Sequence, residues 1–169
     1  MIRLENFQYT NQSETFNSTM KFVFLLTFVF GASQAFWTDC PGVPGLDLFE
    51  SPQCSGDRCR ATRGEIFYGK FWFHTAGAYN ELRSRATAFI FGIGVNLPMT
   101  PPHDDLCNLI QFPNGTLTSC PTIPNQQYLV EFIMEIPQIF PTMRNTRVQG
   151  DLFNGNDRVI CLQILADLL

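Results

Sequence analysis

The stretch Glu65-Ile-Phe-Tyr-Gly-Lys-Phe-Trp-Phe-His74 decides the fold. Its odd positions Phe67, Phe71 and Phe73 share one face of an extended chain, because successive side chains of a strand point to opposite sides. The same period of two returns in Tyr128-Leu-Val-Glu-Phe-Ile-Met-Glu-Ile136. There the even positions, Val130 and Phe132 among them, are all apolar, while the odd ones include Glu131 and Glu135. In Ala86-Thr-Ala-Phe-Ile-Phe-Gly-Ile-Gly-Val-Asn-Leu97 every odd position from Phe89 to Leu97 is large and apolar, which predicts one strand with Phe89, Phe91, Val95 and Leu97 on its inner face. Arg158–Asp167 reads as a last strand.

Breakers separate these runs. Pro41-Gly-Val-Pro-Gly45, Pro98-Met-Thr-Pro-Pro102, Pro113-Asn-Gly115, Pro121-Thr-Ile-Pro124 and Asn154-Gly-Asn156 are turn or loop chemistry. Neither an amphipathic helix nor an internal repeat interrupts the pattern downstream of residue 35. Short antiparallel strands with one wet and one apolar face predict an all-β, two-sheet sandwich.

Upstream, Lys21 is followed by the apolar run Phe22–Phe30 and then by Gly31-Ala-Ser-Gln-Ala35. A basic residue, a short apolar run and a small-x-small ending form a secretory signal over residues 20–35, cut before Phe36. The run is too short for a membrane-spanning helix, which needs about 20 apolar residues. Residues 1–19 are a polar leader, and Met20 is an alternative start. The predicted division is therefore leader and signal over 1–35 and one domain over 36–169.

The chain has 169 residues, with 45% hydrophobic and only 15% charged, so it is neither a disordered polyampholyte nor a coiled coil. A net charge of −4 argues against nucleic acid, whose phosphates call for clustered Lys and Arg. All six cysteines (Cys40, Cys54, Cys59, Cys107, Cys120 and Cys161) follow the signal, and an even number in an exported chain reads as three disulfides. Their pairing is left open by counting alone. Zinc is disfavoured, because His74 and His103 stand at no metal-ligand spacing from Cys54 and Cys59. No cofactor motif, phosphate loop or nucleophile motif is present, so no enzyme is predicted. Asp104-Asp105 beside His103 reads as a solvated loop, and Arg58, Arg60 and Arg63 as a wet basic cluster. Asn114-Gly-Thr116 is an N-glycosylation acceptor in a turn; Asn11 and Asn17 head two more in the leader.

The inner stripes carry many rings, 17 Phe in the whole chain, yet Gly69, Gly92, Gly94 and Gly150 remove side chains in or beside strands. Rings plus gaps fit sheets held apart over an apolar space, against the simpler alternative of a filled core.

The cysteines and their neighbours resemble those of the ML lipid-recognition domain family. The residues are Asp39-Cys40, Ser51-Pro-x-Cys54-x4-Cys59, Gly64, Leu97-Pro98, Asp105-x-Cys107, Cys120-Pro121, Phe140-Pro141, Val148-x-x-x-Leu152 and Cys161, from about Asp39 to Leu168. Within the family the resemblance is to the soluble sterol carriers of the Niemann–Pick type C group, with epididymal secretory proteins and mite group-two allergens as cousins. It implies an immunoglobulin-like sandwich with Cys40–Cys161, Cys54–Cys59 and Cys107–Cys120 paired. It also implies a secreted or lysosomal carrier of one sterol or fatty acid, handed on to a membrane or receptor acceptor. An immune-type co-receptor presenting microbial lipid is the alternative.

The residues expected against the lipid are Phe67, Phe71, Phe89, Phe91, Val95, Val130 and Phe132 by strand parity, and Leu97, Ile136 and Phe140 by resemblance. The match departs from the sterol carriers at Leu97, where they have an aromatic, at Phe140, where they have Tyr, and at Gly150, where they have Trp. Fewer rings at mouth and wall point away from cholesterol, toward a different or bulkier apolar ligand.

Overall fold

The computed structural model describes residues 36–99 and 101–169. The expected signal and leader, with Asn11 and Asn17, lie outside the described residues. Ten strands follow in order: β1 Trp37–Asp39, β2 Leu48–Glu50, β3 Cys54–Ser55, β4 Arg58–Ala61, β5 Ile66–His74, β6 Arg83–Ile90, β7 Ile93–Leu97, β8 Gln127–Glu135, β9 Met143–Asn154 and β10 Asp157–Leu168. One 3-10 turn, Leu106–Asn108, is capped by the Asp105 carboxylate, which accepts from the Cys107 N–H at 3.0 Å.

The strands form two sheets. The larger runs β3-β4-β10-β9-β6-β7, with β1 also on β10; the smaller runs β2-β5-β8. Pairing is antiparallel throughout except where β10 lies parallel to β4. The all-β, immunoglobulin-like sandwich holds, with that one parallel pair as a difference from a purely antiparallel reading.

The interior is asymmetric. The small sheet turns large rings inward (Phe49, Phe67, Phe71, Phe73 and Tyr128), whereas β6 of the large sheet turns in Ala86 and Ala88. Burying each ring contributes roughly 1.5–3 kcal/mol. Rings on one wall face alanines on the other, so large and small side chains complement each other across the interior.

The stretch 86–97 is not one strand. Phe91 and Gly92 both take positive φ, 51° and 83°, the backbone of a two-residue hairpin turn between the paired Ile90 and Ile93. The turn reverses the chain, so inward residues have even numbers before it (Ala86, Ala88) and odd numbers after it (Val95, Leu97). Two expectations fall with it. Phe91 stands on the turn, 88% exposed. Phe89 is on the outer face of β6, where the Arg147 guanidinium lies 4.1 Å above its ring centroid.

The three disulfides join Cys40 to Cys161, Cys54 to Cys59 and Cys107 to Cys120. The first ties the start of the domain to β10 across 121 residues.

Candidate functional site

Two apolar spaces lie between the sheets. The larger, about 80 Å³, is bounded by Phe49, Phe67, Phe71 and Phe132 from the small sheet and by Val148, Gly150, Leu162 and Ile164 from the large one, with Met99 and Leu106 at its side. The smaller, about 30 Å³, is bounded by Ala88, Leu97, Ile136, Phe140, Ala166 and Leu168. Phe67, Met134, Val148 and Ile164 line both, so the two spaces are one slot divided by these side chains.

The polar groups on the larger wall are few, from Ser84, Arg85 and Asp151. The Ser84 hydroxyl donates to the carbonyl oxygen of His103, not to its ring, and the Asp151 carboxylate accepts from Gln149 and Arg158 on the far side of the sheet. That hydroxyl is thereby engaged with the backbone. The slot can shed water and hold an apolar guest.

As it stands the slot is smaller than ordinary ligand pockets of roughly 300–1,000 Å³. A lipid must part the sheets or turn side chains aside. Met99 and Met134 at its edge suit that adjustment, since an unbranched thioether repacks readily.

A roomier groove, about 660 Å³, lies over the small sheet and is bounded by Glu50, Lys70, His103 and Glu131. Lys70 and Glu131 form an ion pair there at 2.6 Å, and hydrogen bonding to Glu131 raises the Lys70 pKa. Covering those charges would cost their hydration, so size does not make this the lipid site. Cys40, Asp151 and Cys161 come close enough to suggest a metal, but both sulfurs are spent in the disulfide.

The structure brings six of the ten expected lining residues to the slot: Phe67, Phe71 and Phe132 at the larger end, Leu97, Ile136 and Phe140 at the smaller. Val130 is fully buried and Val95 packs on the core from β7, but neither is on the cavity wall. Phe89 and Phe91 are outside. The sequence pattern misses Phe49, in a strand of three residues, and Leu162 and Ile164, whose β10 is half-buried on both sides.

Elements that line the smaller end also carry exposed apolar side chains. Ile139, between the lining residues Ile136 and Phe140, is 89% exposed, and Phe91 and Ile93 cap the hairpin that carries Ala88 and Leu97. Asn114 sits in an exposed turn at another loop, its side-chain oxygen accepting from the Thr116 N–H at 3.0 Å. Among the described residues no helix is long and apolar enough to cross a membrane.

A two-sheet sandwich, stapled three times around an apolar slot, is the architecture that defines one class of small domain. The ML domain matches residues 36–168, and the chain belongs to that family. No curated protein matches it. Among solved structures it is similar to a Niemann–Pick type C2 protein from the Japanese carpenter ant, with TM-score 0.64 and 14% identity over 79% of this chain and 98% of that one. It is also similar to chicken MD-1, solved with lipid IVa, with TM-score 0.49 and 15% identity over 76% of this chain and 85% of that one.

Proposed function

We propose that this protein holds one apolar lipid, a sterol or a fatty acid, in the slot between its sheets and carries it through water to an acceptor. The observation that carries the reading is the slot itself, a nearly unbroken apolar lining in a chain of the ML-domain family. A guest there exchanges water for hydrocarbon walls at about 25 cal/mol per Å² of its surface. Three disulfides fit an oxidising compartment, which with the signal read over 20–35 supports secretion or delivery to the lysosome. Nothing in the slot supports catalysis, and the reading is of a binding protein, not an enzyme.

Phe91, Ile93 and Ile139 around the smaller end support handover at a lipid surface, because exposed apolar side chains gathered at one end insert at little cost. Arg144 is exposed just beyond that loop and Arg147 near the hairpin, which favours an anionic surface. The same apolar end also suits a recognition protein that presents its lipid to a receptor, and this is the second reading.

Solvent extraction of the secreted protein followed by mass spectrometry tests both. A sterol or fatty acid near one per chain supports carriage. A phosphorylated glycolipid supports presentation. No lipid in the native protein, and no uptake of a fluorescent sterol or fatty acid by the purified one, would leave only an exported scaffold.

A further inference from the structure

Gly69 stands in the middle of β5, facing inward between Phe67 and Phe71, directly opposite Phe132 on β8. A glycine inside a strand weakens it and marks close approach by another group. Here that group is the Phe132 ring. A Cβ on Gly69 would lie 2.5 Å from Phe132 Cζ and 3.2 Å from Cδ1, closer than atoms can pack. The ring thus lies across β5 in the volume a side chain would fill. It is seated among Phe71, Phe49 and Phe67, with centroids 5.8, 6.2 and 6.3 Å away.

All four rings line the larger space, and Gly69 and Phe132 also border the groove over the small sheet. Across the slot Gly150 repeats the device on a smaller scale: a Cβ there would lie 3.0 Å from Cδ2 of Leu162, which leans over it. Gly150 borders the slot directly, whereas Gly69 is covered by the Phe132 ring that does so.

Resting on the lipid-carriage reading, we infer that Gly69 is a niche that holds the Phe132 ring clear of the slot, and that this pair sets the breadth of lipid admitted, favouring a flat fused-ring lipid over a single acyl chain. Any side chain at 69 lifts the ring toward the facing sheet, into a space of only about 80 Å³. A rigid ring system needs that breadth. An acyl chain, narrow and flexible, can pass beside the raised ring.

The test uses the purified protein as it is secreted, with two fluorescent probes, dehydroergosterol as the flat ligand and cis-parinaric acid as the chain. Gly69→Ala is expected to weaken dehydroergosterol by about tenfold or more, the scale of one added methyl group in a tight apolar pocket, and parinaric acid by less than about threefold. In the Gly69→Ala/Phe132→Ala protein, sterol binding should return to that of Phe132→Ala alone, because the ring that the methyl group displaced is gone. Should Gly69→Ala fail to accumulate, Phe132→Trp enlarges the other partner and should show the same selective loss. Equal weakening of both probes, unchanged sterol binding, or no rescue in the double variant overturns the inference. A wild-type protein that takes up neither probe removes lipid carriage along with it, whereas normal wild-type uptake with an indifferent Gly69→Ala removes the niche alone.

Discussion

Arg63 donates from Nη1 to the carbonyl oxygen of Phe140 at 3.1 Å, and from Nε to that of Leu169 at 3.2 Å. One guanidinium therefore pins the loop carrying Phe140 against the end of the large sheet, beside the smaller space. The basic cluster read from Arg58, Arg60 and Arg63 is divided by the fold. Arg58 pairs instead with Asp57 at 2.9 Å, and that hydrogen bond holds the Asp57 carboxyl below its usual pKa.

Arg63→Ala should free the Phe140 loop. Two carbonyls lose a charged donor, that of Phe140 part-buried and that of Leu169 exposed, a cost of about 1 kcal/mol. Hydrogen exchange over residues 137–142 should quicken, and a bound fluorescent fatty acid should leave faster. Unchanged exchange would show that the loop is held by packing alone.

Replacing both Cys40 and Cys161 by Ala should cost about 5 kcal/mol in the chain-entropy account, and replacing Cys54 and Cys59 about 2 kcal/mol. The difference follows from closing loops of 121 and 5 residues. Urea unfolding of the two double variants, compared with the parent, measures it. The reverse order of stability would contradict the loop argument.

Phe89→Ala and Phe67→Ala should separate the two sides of the large cavity question. Phe67 is buried on both spaces, so its loss should cost about 3–5 kcal/mol and change lipid uptake. Phe89 is half-buried on the outer face beneath Arg147, a contact worth about 0.5–1 kcal/mol, and its loss should leave uptake alone. Fluorescent-lipid titration with thermal unfolding reads both.

Phe91→Asp with Ile139→Asp should leave folding within about 0.5 kcal/mol of the parent, since both side chains already face water. Equilibrium lipid binding should hold, while transfer from anionic vesicles slows several-fold by stopped-flow fluorescence. Transfer at the parental rate would place the acceptor contact elsewhere.

Asn114→Gln should abolish a glycosidase-sensitive mass shift in the secreted protein. The longer side chain also gives up the bond to the Thr116 N–H, at a cost of roughly 0.5–1.5 kcal/mol or less in so exposed a turn. Intact-mass measurement before and after glycosidase decides it.

The inner faces of β5 and β8 are legible in the sequence because each strand runs its whole length without a break, so Phe67, Phe71 and Phe132 follow from parity. Parity fails at Phe89 and Phe91 for a physical reason. A two-residue turn advances the chain by so little that apolar alternation runs straight through it. Gly92 is the one residue that signals it, and Gly94 two positions later blurs that signal. Leu97 and Ile136 fall in step with the apolar alternation, but their place on the lining, like that of Phe140, rests on the family resemblance. β9 is hard to read because Gly150 interrupts its inner face while Arg147, Gln149 and Asp151 occupy the outer one. The smallness of the slot is invisible in the sequence, since it depends on how far rings lean over glycines.

β10 pairs with β9 on one edge and with both β4 and β1 on the other. A ribosome delivers residues 157–168 after every one of those partners. β1, β3 and β4 must therefore wait, unpaired with the rest of the large layer, until nearly the whole domain has been translated. Assembly is late and all at once, so a premature stop within these residues should send the chain to quality control and not yield a shortened, folded domain.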